Sequence, residues 1–185
     1  SWKGAIPGRD ATRIVVAGAP PPARTIERIE TELGWTFNQL YGLTETSPFL
    51  TVNSPSPETD ELSAADRSVV LSAAGVPALG VETKIDETGE VLARSNVVME
   101  GYWAQPEETA KAIVDGWFRT GDGGSIGESH VLTIADRKKD VIISGGENVS
   151  SIEVEGAIFS HPDVTEVAVI GVPDEKWGEL VMALV

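Results

Sequence analysis

The chain reads as a mixed α/β fold, and three stretches of sequence predict it. Between Arg13 and Leu40 a β-branched run, an amphipathic helix and a second strand-like run follow one another, the order of a parallel sheet edge. From Val81 to Ile134 short strand-like runs alternate with turn residues, which predicts a small, mostly antiparallel barrel over about 80–135. After it, a capped helix and two more strands predict a small α+β unit. The expected architecture is the end of a large unit, made of a βαβ sheet edge and the barrel, followed by the start of a small one.

Arg13 to Ala17 forms the first strand and runs into the turn Gly18-Ala19-Pro20. Residues 23–33 set Ile26, Ile29 and Leu33 at helical spacing among Glu and Arg, and Gly34 stops the helix. Thr36 to Leu40 is the next strand and leads into Tyr41-Gly42. Ligands bind beyond the carboxyl ends of such strands, so both turns lie where a site is expected. Asn53 to Asp66, rich in Pro, Ser and acids, reads as a surface loop. Val81–Ile85, Glu90–Arg94 and His130–Ile134 are barrel strands, interrupted by a helix that starts after Pro106 and ends near Val114. Val141–Ser144 leads into a turn at Gly145-Gly146-Glu147. Ser150-x-x-Glu153 is a capping box opening a helix through Phe159, and Val164–Val172 and Leu180–Val185 are the last strands.

Composition excludes several classes of function. A formal net charge of −15 argues against a nucleic-acid partner, because phosphate backbones are held by clustered Lys and Arg. With no cysteine, a disulfide framework, a thiolate zinc site and a cysteine nucleophile are all impossible. His130 and His161 are the only histidines, too few for a multi-histidine metal site. No apolar run approaches the roughly 18–20 residues that span a bilayer, and no basic-then-apolar leader pattern opens the sequence. The expected location is cytoplasmic.

Three short motifs carry the chemistry: Tyr41-Gly42-Leu43-Thr44-Glu45-Thr46, Trp117-Phe118-Arg119-Thr120-Gly121-Asp122 and Asp136-Arg137-Lys138-Lys139-Asp140. Together they hold a flat aromatic face, hydroxyl and cationic groups for phosphate, a carboxylate for a hard cation and a second carboxylate for ribose hydroxyls, the parts an ATP site needs. Singly, each has a plainer reading. Tyr41 packs at a strand end, Thr44 caps a turn, and Glu45 is a first-turn carboxylate favoured by a helix dipole. Asp122 forms a turn after Gly121, and Arg137 pairs with Asp136 or Asp140 at the surface.

In combination and order these motifs resemble the AMP-forming, adenylate-forming enzymes (acyl-CoA and aryl-CoA synthetases, peptide-synthetase adenylation domains, firefly luciferase). Within that group the chain looks most like a fatty acyl-CoA synthetase, from Gly145-Gly146-Glu147-Asn148-Val149-Ser150-Ser151 and Val172-Pro173-Asp174-Glu175-Lys176-Trp177-Gly178-Glu179. The resemblance makes residues 1–137 the C-terminal part of the large AMP-binding domain, and 138–185 an incomplete small C-terminal domain hinged near Lys139. It implies ATP, Mg²⁺ and coenzyme A as cofactors and a fatty acid or other carboxylic acid as substrate. By the same resemblance, Tyr41 stacks on adenine while Gly42 lets the backbone approach, and Gly18, Ala19 and Pro20 line the adenine and the acyl carboxylate. Thr44 binds phosphate, Glu45 ligates Mg²⁺, Asp122 accepts from the ribose hydroxyls, and Arg137 contacts the ribose and phosphate region. Gly145, Gly146 and Glu147 help line the pantetheine channel. The implied chemistry forms an acyl adenylate and pyrophosphate, after which coenzyme A displaces AMP.

Two parts of the family pattern find no match in this sequence: a Ser/Thr/Gly-rich loop ending in Lys, expected before residue 1, and a catalytic lysine, expected beyond Val185. The chain alone is therefore expected not to adenylate acids at a useful rate, while the adenosine contacts remain. Self-association through apolar surface is also expected. Competing readings are a non-catalytic nucleotide- or partner-binding module, and an acyl-AMP or aryl-CoA ligase. A hydrolase is a further rival, because Gly123-Gly124-Ser125-Ile126-Gly127 fits G-x-S-x-G, with Asp136 or Asp140 and then His161 following.

Overall fold

The computed structural model describes residues 4–127 and 129–185. Strand β1 (Arg13–Val16) pairs parallel with β2 (Thr36–Tyr41), Ile14 facing Phe37 across the ladder. Helix α1 (Ala23–Arg28) connects them and widens into a π-helical turn at Ile29–Leu33. Gly34 ends that turn at φ 67°, the left-handed conformation a glycine adopts without steric cost. The predicted strand–helix–strand series is thus present, and its parallel pairing aims the carboxyl ends of β1 and β2 the same way.

The stretch expected to be a surface loop after Asn53 is more ordered. Strand β3 (Thr51–Asn53) precedes it, and α2 (Pro57–Asp60) and α3 (Ala64–Leu71) lie along and beyond it, followed by β4 (Val76–Pro77). Two of its Ser residues act as helix caps: Ser56 accepts from the Thr59 amide and Ser63 from the Asp66 amide. These elements complete a sheet of order β1-β2-β3-β4. Leu71 of α3 packs with Ile26 and Phe37 in one apolar cluster, flanked by Ile14, Val16 and Ile29.

The second sheet holds β5 (Glu82–Ile85), β6 (Glu90–Arg94), β7 (Ile113–Val114), β8 (Trp117–Ile126) and β9 (Leu132–Arg137), with α4 (Pro106–Ala112) between β6 and β7. All pairings are antiparallel, in the order β5-β6-β8-β7 with β9 on β8. Lys84 and Arg94 stand 4.1 and 4.7 Å from the Trp117 ring centre, so one indole meets two cations. Ala74, Val91 and Leu132 form a second apolar cluster, and paired bonds between Gly75 and Leu132 (2.7 and 3.2 Å) stitch the two sheets together.

Three expectations are corrected in this sheet. Asp122 does not sit in a turn; it lies inside β8, because the ladder to β9 continues through it opposite Arg137. His130 precedes β9 rather than starting it, since its amide closes a turn onto Gly127 O at 3.0 Å. Ser125 is extended in β8 opposite Thr133, with neither a sharp turn nor a following helix, so the hydrolase reading has no nucleophile elbow.

The last sheet comprises β10 (Ile142–Ser144), β11 (Glu147–Val149), β12 (Ala168–Asp174) and β13 (Gly178–Leu184), in the order β11-β10-β13-β12, with α5 (Ser151–Phe159) inserted. Gly145 and Gly146, both at positive φ (62° and 87°), make the two-residue hairpin turn. Ser150 caps α5 by accepting from the Glu153 amide. Val164, expected to begin a strand, instead closes a turn onto His161 O at 3.1 Å, and the strand starts at Ala168.

Helix α5 is tied to the preceding region at both ends. At its start Asp136 Oδ2 accepts from the Ser151 amide and hydroxyl, both at 2.9 Å, and Ser150 Oγ donates to Ala135 O at 3.0 Å. At its end the Arg24 guanidinium donates to Phe159 O at 3.2 Å and His161 O at 2.7 Å, a cation on the negative end of a helix.

Candidate functional site

Parallel pairing of β1 and β2 brings Gly18-Ala19-Pro20 and Tyr41-Gly42 to one edge, where they line a cavity of about 260 Å³ with Asp122 and Arg137. The three distant motifs therefore meet. The Tyr41 ring packs against the Ala74, Val91 and Leu132 cluster, and its hydroxyl donates to Asp122 Oδ2 at 2.7 Å. One oxygen of the ribose candidate is thus engaged by the protein, while Oδ1 lies 3.7 Å from Arg137 Nε. Arg137 pairs with Asp122 rather than with Asp136 or Asp140. Burial pushes the Asp122 carboxyl above its usual range, opposed by the Tyr41 hydroxyl and the charge of Arg137. Burial also drives the Tyr41 phenol far upward, so it stays protonated and remains the donor of the pair.

Gly18 holds φ 100°, and a Cβ there would meet nothing within 4 Å, so its glycine serves the turn. Gly42 is constrained differently: a Cβ would lie 2.3 Å from Phe49 Cα and 2.4 Å from Pro48 O. The close approach that demands glycine at 42 is made by the protein's own chain.

Gln39 is the residue that sequence reasoning missed in this cavity. It is 4% exposed, and its Oε1 is the one buried side-chain oxygen or nitrogen without a hydrogen-bond partner among the described residues. Its alternation on β2 was visible, but a glutamine pointing inward from a strand looks the same in sequence as one pointing outward.

A second cleft of about 710 Å³ adjoins the first through Gly18, Gly42, Asp122 and Arg137, and adds Thr44, Glu45, Lys138 and Lys139. Thr44–Thr46 is a single 3-10 turn, closed by Leu43 N donating to Thr46 Oγ1 at 2.9 Å. Glu45 is held from outside the motif: Tyr102 donates its hydroxyl to Oε1 at 3.0 Å, and the Met99 amide donates to Glu45 O at 2.8 Å. Among the described residues no group of three or more His, Asp or Glu could hold a metal unaided. The donor set suits Mg²⁺ only in its usual manner, one carboxylate shared with phosphate oxygens and water.

Lys138 and Lys139 continue into a third groove of about 870 Å³ with Gly145, Gly146 and Trp177. Gly145 donates to Trp177 O at 2.8 Å, and a Cβ at Gly145 would lie 2.8 Å from the indole. Glu147 is not part of this lining; as the first residue of β11 it pairs with Ser144. Also unread in the sequence was Glu90, a buried carboxylate that meets Arg119, Lys138 and the Gly121 amide beneath Asp122.

Comparison with known proteins agrees with this geometry. The AMP-binding enzyme family matches residues 6–103, and the AMP-binding enzyme C-terminal domain matches 153–185. The chain is 43% identical to 2-methylpropanoate–CoA ligase CCL4 of Humulus lupulus, over 98% of this chain and 35% of that protein. It is 41% identical to probable acyl-activating enzyme 6 of Arabidopsis thaliana, over 93% and 34% respectively. The chain spans about a third of the length of the curated relatives it matches. Among solved structures it superposes on the amide bond synthetase McbA of Marinactinospora thermotolerans with TM-score 0.82 and 37% identity, covering 94% of this chain and 36% of that one. On the o-succinylbenzoate CoA synthetase MenE of Bacillus subtilis, in complex with its acyl-adenylate intermediate, TM-score is 0.77 and identity 32%, with 94% and 36% covered.

Proposed function

Since this chain belongs to the AMP-binding enzyme family, we propose that it supplies the adenosine-binding part of a ligase that activates a carboxylic acid with ATP and passes the acyl group to coenzyme A. The observation that carries the proposal is the convergence of Gly18-Ala19-Pro20, Gln39, Tyr41, Asp122 and Arg137 on one cavity, with Gln39 Oε1 left without a partner. A buried oxygen without a donor costs about 1–3 kcal/mol, and a ligand that brings an N–H relieves that cost. The exocyclic amino group of adenine brings one. In this reading Tyr41 offers its free face to the purine, Asp122 Oδ1 accepts from the ribose, and Arg137 lies beside ribose and phosphate. Thr44 and the lysines face the phosphates. Glu45 would hold Mg²⁺ together with phosphate oxygens, the metal neutralising charge on the phosphoryl group. The Gly145–Gly146 groove, flanked by Lys138 and Lys139, is the proposed path of coenzyme A.

The acid proposed is a fatty acid. The names of the relatives favour a second reading, a short branched or aromatic acid. Because no segment of this sequence supplies the Ser/Thr/Gly-rich phosphate loop or the catalytic lysine, the proposal is that these residues alone bind nucleotide without turnover. Calorimetric titration with AMP and IMP tests it. Replacing the amino group by a carbonyl puts two acceptors face to face at Gln39, so IMP is expected to bind about tenfold or more weakly than AMP. Equal affinities, or no binding of either, would overturn the reading. Pyrophosphate release from fatty acid and MgATP at an enzymatic rate would overturn the absence of turnover.

A further inference from the structure

We infer that Glu90 is a positioning residue for the ribose-facing carboxylate: it fixes the bulge in β8 that aims Asp122 into the cavity, and ties that bulge to the turn at Lys138. The inference rests on the reading of Asp122 as the ribose acceptor. It starts from a mismatch in register. Glu90 pairs with Gly123, and Leu92 with Arg119, so two steps along β6 (92 − 90) face four along β8 (123 − 119). The extra length bulges out at Thr120, Gly121 and Asp122, whose polar backbone groups lose their ordinary ladder partners on that side.

Side chains and the turn at Lys138 take the place of the ladder. The Gly121 amide donates to Glu90 Oε1 at 3.0 Å, the Asp122 amide to Thr120 Oγ1 at 3.2 Å, and the Lys138 amide to Gly121 O at 2.9 Å. Gly121 stands at φ 76°, and a Cβ there would meet nothing within 4 Å, so backbone conformation rather than crowding sets the glycine. The other oxygen of Glu90 meets the Arg119 guanidinium and the Lys138 ammonium, the latter at 3.3 Å. Glu90 is 4% exposed and lines none of the three cavities, so it touches no bound molecule. Its effect on ligand must pass through Gly121 to the next residue, Asp122.

Two conservative variants change the reach and the charge of this carboxylate one at a time. Glu90→Asp keeps the charge but withdraws the carboxylate by one carbon–carbon bond, about 1.5 Å, out of reach of the Gly121 amide. Glu90→Gln keeps an oxygen facing that amide. The readout is the ratio of affinities for AMP and 2′-deoxyAMP, measured calorimetrically on the 185-residue chain. The wild type is expected to prefer AMP by about tenfold or more, as for a hydrogen bond to a charged acceptor. In Glu90→Asp the preference falls to about twofold, with AMP losing most of the affinity, and Glu90→Gln retains more of it. A merely structural role would weaken both nucleotides alike and leave the ratio unchanged; that result in Glu90→Asp overturns the inference. A wild-type ratio near one removes the ribose role of Asp122, and this inference with it, whereas a discriminating wild type and an equally discriminating Glu90→Asp remove this inference alone.

Discussion

Residues 4–137 bury two apolar clusters, one around Phe37 and one around Leu132, whereas residues 138–185 bury only Ile142 and Val169 among their apolar side chains. Helix α5 buries no residue at all. Its attachment is polar: the Asp136 carboxylate at one end, the Arg24 guanidinium at the other. The first region is held by area removed from water, which nothing outside the fold can replace. The second is docked by hydrogen bonds of about 0.5–1.5 kcal/mol net each, which water can replace. The change from one regime to the other falls at Arg137-Lys138-Lys139, the stretch where the proposed hinge lies.

Four substitutions would break or sharpen that contrast. Phe37→Ala, at 1% exposure, is expected to cost about 3–5 kcal/mol in urea unfolding. Were it to lower the protection of residues 138–185 as much as that of β2 and α1, the two regions would be one cooperative unit and the contrast would fail. Asp136→Ala removes three hydrogen bonds from a 5% exposed carboxylate. It is expected to cost about 1–3 kcal/mol locally, read as faster amide exchange across 151–159 with β6 and β8 unchanged. Arg24→Ala should cost about 1 kcal/mol, seen as faster proteolytic nicking around Ser160–Asp163.

The smallest effect concerns pH. Burial raises the Asp122 carboxyl in the folded chain, so between its unfolded and folded pKa values the native state holds more protons. Stability contributed there falls as pH rises through that window. Asp122→Asn removes the dependence, so its urea midpoint should gain on the wild type from acid to neutral pH. A gain in the opposite direction would mean that Arg137 and Tyr41 outweigh burial.

Where hydrophobic rhythm and turn chemistry coincide, the sequence is readable: Arg13–Val16, the helix stopped by Gly34, the Gly145–Gly146 hairpin and the Ser150 cap all stand where patterning puts them. Strand β3 was illegible because its inward residues are polar. Thr51 and Asn53 are buried, satisfied by Ala74 O at 2.7 Å and by Val70 O and Ala73 O at 2.8 and 3.0 Å. An apolar-in pattern cannot reveal a strand whose core face is hydrogen-bonded. In the site, the motifs named Tyr41, Glu45, Asp122 and Arg137, but Tyr102, which holds Glu45, and Glu90, which holds the Gly121 amide beside Asp122, lie outside those motifs and act through pairings that only three dimensions create. The bulge that places Asp122 arises from a register slip against a strand some 30 residues away, which local sequence does not encode.

Asp136 has one further consequence. Strand β9 and helix α5 share its carboxylate, so they cannot part without leaving that anion facing a gap. Any such parting has to be a wet event, with several solvent molecules drawn in to stand where the serine groups stood. Sucrose or TMAO, excluded from newly bared protein surface, would then slow or suppress the separation, while the region before residue 137 keeps its shape.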